Sequence, residues 1–369
     1  MPATTFKAPR CFARGRVKVV DLFCGVGGLS HGLLLEGLQV VAGVDNDSTC
    51  EYAFEKNNGS TFIKRNIARF TSGELLDLFG DASVRVLVGC APCQPYSSLN
   101  RRDLDPLQAR ERWYPLYRFT QLIRKVKPEI VSMENVPDLA NEAKYEIFAT
   151  FIKILRRLDY HVSFRTVDAS RFGVPQKRQR LVLLASKLGP IKLIDETHRE
   201  ENLVTVRQAI SDLPPLADGA ADANDPLHRS SRLSQLNKKR IRATPEDGGS
   251  AKSWSQDLMP DCYRRASGRS YMSTVYGRMR WDSPAPTMTT HCTTLGTGRF
   301  GHPVQDRAIS LREAARIQSF PDYYEFSAEG EIRIGDTARH IGNAVPVLLG
   351  RAIGKSLKRH IREHVRSIK

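Results

Sequence analysis

No window of this 369-residue sequence approaches 18 uncharged apolar residues, so no membrane span is expected. The basic opening stretch MPATTFKAPRCFARGR has no apolar run of its own and does not read as a secretory signal. Cysteine is scarce and odd in number, with seven at positions 11, 24, 50, 90, 93, 262 and 292. In a long chain without an export signal, that pattern excludes a disulfide framework and indicates free thiols in a reducing cytosol. Cys90 and Cys93 form one C-x-x-C, but there is no second pair at zinc-finger spacing, so no metal site is expected. Internal repeats are absent. Acid is also in deficit: 56 Lys and Arg stand against 40 Asp and Glu, a net charge of +16.

A surplus of that size implies a polyanionic partner or a membrane surface. It is concentrated in His228–Trp281, which holds 12 Lys or Arg and 4 Asp or Glu, a local +8. Within it, Tyr263–Trp281 interleaves Arg264, Arg265, Arg269, Arg278 and Arg280 with Tyr263, Tyr271, Tyr276 and Trp281. Charge alone leaves open whether this is a binding face or a solvated surface. The composition is otherwise that of a globular chain, 41% hydrophobic and 26% charged.

In the first half, apolar runs alternate with amphipathic stretches. Val17–Phe23, Gln39–Val44, Ser83–Gly89, Glu129–Met133 and Gln179–Ala185 read as strands. Ser30–Gly37, Tyr114–Val126 and Tyr145–Leu158 read as helices. Continuous apolar strands separated by helices predict an α/β fold with a doubly wound, mostly parallel sheet, whose ligands sit beyond the carboxyl ends of the strands. After about residue 200 long apolar runs disappear. Asp212–Asp225 resembles a linker or long loop, and the region that follows is expected to be irregular, mostly β and loop. At the end, Ile353, Leu357, Ile361, Val365 and Ile368 recur at helical spacing and predict an amphipathic helix packed on the core.

Four segments offer chemistry. The stretch DLFCGVGGLS at Asp21–Ser30 joins the first strand to the first helix, and Gly25, Gly27 and Gly28 permit a tight turn that lets a ligand approach the backbone. Asp45 ends the second strand 20 residues after Gly25, where an acid holds the ribose hydroxyls of a nucleoside cofactor. Next, GCAPCQPYSS places Cys93, beside Pro92, in a loop at a strand end, where a thiolate is a nucleophile for a soft, electron-poor carbon. Cys90 is expected to end the strand and point into the fold. Third, Glu134 in MENVP ends the fifth strand read, and a carboxyl there can donate a hydrogen bond or proton to a heterocycle nitrogen. Last, in QKRQR, Gln176, Arg178 and Arg180 alternate and are expected to share one strand face pointing into one site.

Taken in order, DLFCGVGGLS, Asp45, APCQ, ENV, QKRQR, LREAARIQSFPD at Leu311–Asp322 and IGNAVP at Ile341–Pro346 resemble the DNA (cytosine-5) methyltransferase family over about residues 17–350. The resemblance implies an S-adenosylmethionine-dependent methyltransferase fold with a smaller target recognition domain. It implies that Cys93 is the nucleophile, that Glu134 contacts the cytosine N3 and N4 edge, that Arg180 contacts O2, and that Arg178 supports the nucleophile loop. S-adenosyl-L-methionine would lie against Phe23, Gly25, Gly27, Gly28, Asp45, Asn66, Pro92 and Asn343. Double-stranded DNA would meet the basic segment, with Lys238, Lys239, Arg240, Arg278, Thr294 and Leu295 as candidate contacts.

The chain departs from the family pattern at Asn66, where an Asp is frequent, at Ala91, where Phe or Pro is common, and in SSLNRRDLDPLQARERW, which lacks the usual glycines. The implied division is 1–200 for the catalytic and cofactor-binding domain, 201–325 for target recognition, and 326–369 for a segment returning to the catalytic domain. A stand-alone bacterial modification enzyme is expected: monomeric, cytoplasmic and on the nucleoid through DNA, with no membrane and at most a functional link to a restriction endonuclease. The alternatives are a tRNA cytosine-5 methyltransferase, whose Cys-Phe-Thr tripeptide does not occur here, and a redox or zinc protein built on Cys90 and Cys93.

Overall fold

Aliphatic residues run almost unbroken through β1 (Val17–Leu22), and only Lys18 is not buried, as a strand covered on both faces requires. The structure, a computed structural model, describes residues 17–92, 106–141, 146–264 and 275–365, apart from the side chains of residues 106–113, 262 and 264. Cys93 and the loop after it, Arg265, Arg269, Tyr271 and Ile368 lie outside the described residues. The chain forms two compact units. Met1–Asp168, Gln179–Asp195 and Val347–Lys369 make the first, and Ala169–Arg178 with Glu196–Pro346 the second.

The first unit is a seven-stranded sheet. After β1 come β2 (Gln39–Asp45), β3 (Thr61–Lys64), β4 (Val84–Gly89), β5 (Ile130–Asn135), β6 (His161–Asp168) and β7 (Gln179–Ser186), in the spatial order β3-β2-β1-β4-β5-β7-β6. The first five are parallel, and β7 runs antiparallel to both β5 and β6. Chain order reverses between β1 and β4, whose last residues Leu22 and Gly89 are in register. At such a switch point the connections leave in opposite directions and open a crevice beyond the carboxyl ends.

The helices are α1 (Gly28–Leu35), α2 (Glu51–Asn58), α3 (Ser72–Phe79), α4 (Pro106–Val126) and α5 (Glu146–Arg157). In α5, Phe148, Phe151, Ile152 and Leu155 fall on one stripe and are buried against Phe119 of α4 and the sheet residues Val131, Met133 and Leu183.

The doubly wound sheet and each strand and helix read in this half are present, with ends shifted by a few residues. α4 starts earlier than its apolar spacing suggests, because Pro115 interrupts the pattern without ending the helix. The elements not anticipated are β3, β6, α2 and α3. β3 has only four residues, and β6 is an edge strand that leaves His161, Phe164, Arg165 and Thr166 exposed, so neither shows an apolar run.

The second unit carries α6 (Val206–Ile210), α7 (Gln235–Arg242), α8 (Asp261–Arg264), α9 (Leu311–Ile317) and α10 (Ile334–Asn343). It is irregular, as expected, but among its described residues β structure amounts to isolated bridges such as Gln176↔Ala285 and Gly301↔Ala308 rather than strands. Its apolar clusters are small, one of Leu233, Ile241, Leu295 and Ala308 and another of Ala251, Trp254, Leu258 and Tyr263. Loop carbonyls without ladder partners still need donors. Arg278, 2% exposed, supplies them to the carbonyls of Thr244, Ile241, His302 and Gln305 and also pairs with Asp306. Buried Arg307 forks onto Glu313 at 2.7 and 2.8 Å, and Glu313 closes the N-terminal capping box of α9 with Ser310.

The units do not divide at residues 200 and 325. Ala169–Arg178 belongs with the second unit, held there by Gln176, whose amide donates to Gln318 Oε1 at 2.8 Å. Residues 326–346 stay there too, because α10 packs on α9. The return to the first unit begins at α11 (Val347–Val365), which buries Ile353, Leu357 and Ile361 as its spacing predicts. α11 lies close to α1 because Gly32 has no side chain: a Cβ there would sit 2.5 Å from the Val347 carbonyl oxygen.

Candidate active site

The turn after β1 is built from left-handed backbone. Phe23, Gly25 and Gly27 have φ of 62°, 50° and 88°, and Phe23 is held by donating its N–H to the Val44 carbonyl at 2.8 Å. Gly25 and Gly27 accept this geometry without the steric penalty a Cβ brings. The Asp45 carboxylate ties the turn to the end of β2, accepting from Gly25 N at 2.9 Å and Asp47 N at 3.0 Å. α1 starts at Gly28 behind an N-cap glycine, Gly27, so its first N–H groups are not covered by a side-chain cap.

Asp21, one of the last residues of β1, is buried. Its Oδ2 accepts from Ser30 Oγ at 2.7 Å, whereas its Oδ1 is buried with no partner. Burial pushes the carboxyl up to about 7; the Ser30 hydrogen bond opposes this and the Asp45 charge adds to it. A Cβ added at Gly25 would meet nothing within 4 Å, so open space lies beside the turn. An orphaned buried acceptor, an acid at the second strand end and an open glycine turn fit a nucleoside cofactor bearing positive charge. Asn66 follows β3 at the same edge of the sheet and is exposed, with its Oδ1 already accepting from Ala68 N at 2.9 Å.

Across the switch point, β4 ends at Gly89, and Cys90, Ala91 and Pro92 lead toward Cys93, which lies outside the described residues. Ala91 is buried and Pro92 exposed. Cys90 does not point into the core. It is half-buried, and its thiol donates to Glu134 Oε2 at 2.8 Å, because the neighbouring strand β5 ends with that carboxylate. Glu134 is 2% exposed, and Arg180 Nε donates to its other oxygen at 2.9 Å. Asn135 Nδ2 donates to the Ala91 carbonyl at 3.1 Å and so ties the base of the Cys93 loop to β5. The thiols of Cys24 and Cys292 are buried and pushed up by that burial, Cys292 to about 12, so neither is available as a thiolate at neutral pH.

The expectation that Gln176, Arg178 and Arg180 share one strand face is not met. β7 begins only at Gln179, so the two earlier residues have no pleat to align them. Arg180, in the first unit, pairs with Glu134. Arg178, in the second, is buried and donates to the carbonyls of Met288 at 2.8 Å and Gly342 at 3.0 Å. Asn343, next to that Gly342, is exposed at the end of α10.

The candidate DNA contacts separate by burial. Arg278 is locked among carbonyls and Leu295 is core, 2% and 1% exposed, so neither presents a surface to a duplex. Arg240 is also buried, donating to the Leu258 carbonyl and stacking on Trp254 and Tyr276. Lys239 is exposed, Lys238 is half-buried and paired with Asp218 at 3.0 Å, and half-buried Thr294 donates to the His291 carbonyl. Three residues that the motif reading left without a role, Asp21, Cys90 and Asn135, take part in the site; their only signal was adjacency to the glycine turn, PCQ and ENV.

Among the described residues, no helix is long and apolar enough to cross a membrane. Residues 17–359 match the C-5 cytosine-specific DNA methylase family. The chain is 48% identical to the type II methylase M.HgiDII of Herpetosiphon aurantiacus, over 95% of this chain and 99% of that one. It is 32% identical to the type II methyltransferase M1.BsuMI of Bacillus subtilis, over 89% and 78% of the two chains. A putative DNA modification methyltransferase encoded within an Escherichia coli prophage shares the fold with a TM-score of 0.71, at 22% identity over 94% of this chain and 99% of that one. With the match extending over nearly the whole chain, from β1 into α11, the protein belongs to the family of C-5 cytosine-specific DNA methylases.

Proposed function

We propose that this DNA (cytosine-5)-methyltransferase methylates C5 of a flipped-out cytosine within a specific duplex sequence, through a covalent bond between Cys93 and cytosine C6. The observation that carries the reading is buried Glu134 at the end of β5, paired with half-buried Arg180, beside the strand that leads into Cys93. A heterocycle edge offering an amino donor and acceptor nitrogens and oxygens is met there by a carboxyl and a guanidinium. S-adenosylmethionine supplies an electrophilic methyl group on a sulfonium. Phe23, the glycines of the turn and Pro92 would line its site, Asp45 would hold its ribose, and Asn66 would approach its adenine with the remaining acceptor capacity of its side chain.

Cytosine C5 is a weak nucleophile. Addition of the Cys93 thiolate to C6 breaks the ring's conjugation and makes C5 an enamine carbon. Glu134, hydrogen-bonded at N3, stabilises the charge that develops, while Arg180 at O2 holds the ring. After methyl transfer a base removes the C5 proton, the C5–C6 double bond re-forms and the thiolate leaves. A base inside a duplex presents neither face to a thiolate, so it must be extruded at a cost of a few kcal/mol, which contacts to phosphates help offset. Exposed cations of the His228–Trp281 segment, Lys239 among them, supply such contacts. Within the second unit, Arg178 holds the Met288 and Gly342 backbone. The expected setting is a monomer acting on bacterial DNA in the cytoplasm, linked to a restriction endonuclease by function rather than by contact.

A duplex carrying 5-fluorocytosine at the target position tests this. Fluorine replaces the proton that must leave C5, so the enzyme should be trapped at Cys93 only when S-adenosylmethionine is present, and Cys93→Ser should form no adduct. Mass spectrometry showing no cofactor-dependent adduct, on DNA proven by bisulfite sequencing to contain the recognition site, would overturn the reading. Trapping on an equivalent tRNA instead would favour the RNA alternative.

A further inference from the structure

Glu134 is held by two donors, and the second has no part in the reaction described above. Arg180 takes Oε1 at 2.9 Å and the Cys90 thiol takes Oε2 at 2.8 Å. The terminal torsion of a glutamate is broad and roughly two-fold, so a single partner leaves the carboxyl plane free to swing. Donors on different oxygens fix it. The backbone around Cys90 is itself anchored: its N–H donates to the Leu22 carbonyl at 3.3 Å, and Asn135 Nδ2 donates to the next carbonyl, that of Ala91, at 3.1 Å. The thiol therefore reaches Glu134 from a preset position at the end of β4.

We propose that Cys90 is a positioning residue for Glu134, fixing the plane of the carboxyl group that meets the cytosine edge. The inference rests on the role assigned to Glu134 in the proposed function. A carboxylate oxygen has two lone-pair positions, so Oε2 can keep the thiol on one and accept from the cytosine amino group on the other. Its removal should loosen the aim of the carboxyl group, and a different donor at the same position should restore that aim. A residue that merely fills space would show no such rescue.

The test compares Cys90→Ala and Cys90→Ser in the full chain by single-turnover methyl transfer to duplex DNA, with DNA binding, S-adenosylmethionine binding and thermal melting measured alongside. Cys90→Ala is expected to slow methyl transfer about tenfold, the worth of a hydrogen bond to a charged group. Binding of DNA and of S-adenosylmethionine should be unchanged. Cys90→Ser keeps a donor and should recover most of the rate. On a Glu134→Gln background, Cys90→Ala should cost little further. A wild-type rate in Cys90→Ala, a Cys90→Ser variant no better than Cys90→Ala, or an undiminished cost on the Glu134→Gln background would each overturn the inference. Should Cys90→Ala lose its melting transition, Cys90→Gly replaces it in the same comparison. Wild-type kinetics in Glu134→Gln would instead remove the role of Glu134 itself. The expected large loss there, with no effect at Cys90, removes only the present inference.

Discussion

Arg240 places its guanidinium 5.5 and 5.0 Å from the ring centroids of Trp254 and Tyr276 and donates to the Leu258 carbonyl, three contacts inside the second unit. Lys239, next to it on α7, is exposed, as is Arg232 shortly before the helix. The two kinds of cation should separate in experiment. Arg240→Ala is expected to destabilise the protein by about 2–3 kcal/mol, since it removes cation–π contacts and leaves a buried carbonyl unpaired. Neutralising Lys239 and Arg232 together should leave the melting temperature nearly unchanged and reduce the slope of log affinity against log salt by about two, one for each lost phosphate contact. An unchanged salt slope in that double variant would put this run on a solvated face away from DNA.

Among the elements, the join of α1 and α11 depends on missing side chains. Gly32 faces the Val347 carbonyl and the Arg351 amide, and Gly350 faces the Leu29 carbonyl, so the two helices touch backbone to backbone. Arg351 closes the contact with an ion pair to Glu36 at 2.9 Å. A methyl group at Gly32 has nowhere to go, and overpacking of this kind costs about 1–3 kcal/mol despite the better helix propensity of alanine. Because α1 grows out of the glycine turn beside Asp45, the strain should reach the proposed cofactor site. Gly32→Ala is expected to lower both the melting temperature and the affinity for S-adenosylmethionine in calorimetry. A variant as stable as wild type would show that α11 can move away freely. The other elements carry readable signals in retrospect. α3 is announced by Thr71-x-x-Glu74, a capping box in which both reciprocal hydrogen bonds form, followed by Leu75, Leu76, Leu78 and Phe79 at helical spacing.

For the whole molecule, Asp21 links folding to pH. Its carboxyl is raised to about 7 by burial, so the folded chain holds a proton there that the unfolded chain releases near the ordinary value of about 4. The sign follows: the stabilising contribution of this group is complete below about 4 and is lost as pH rises through about 7. Without cofactor, Asp21→Asn should therefore flatten the fall in stability over that window, as read by melting temperature against pH. Curves for variant and wild type that stay parallel throughout would refute the linkage.

The order of motifs in the sequence already carried the family and the parallel sheet, and it singled out Glu134, Asp45 and the turn glycines as candidates, because strand periodicity and glycine chemistry are local. What sequence could not convey was which polar groups meet across strands. Cys90 and Glu134 are 44 residues apart and become partners only because β4 and β5 pair. Gln176 and Arg178 separate from Arg180 because β7 starts at Gln179, a boundary set by pairing with β5 and β6 rather than by composition. The basic segment reads as one surface in sequence, yet folding divides it. A unit with few strands and small apolar clusters must satisfy its loop carbonyls from within, so it draws Arg278 and Arg240 inside and leaves Lys239 outside, a choice made by burial and hydrogen bonding that no count of charges reveals.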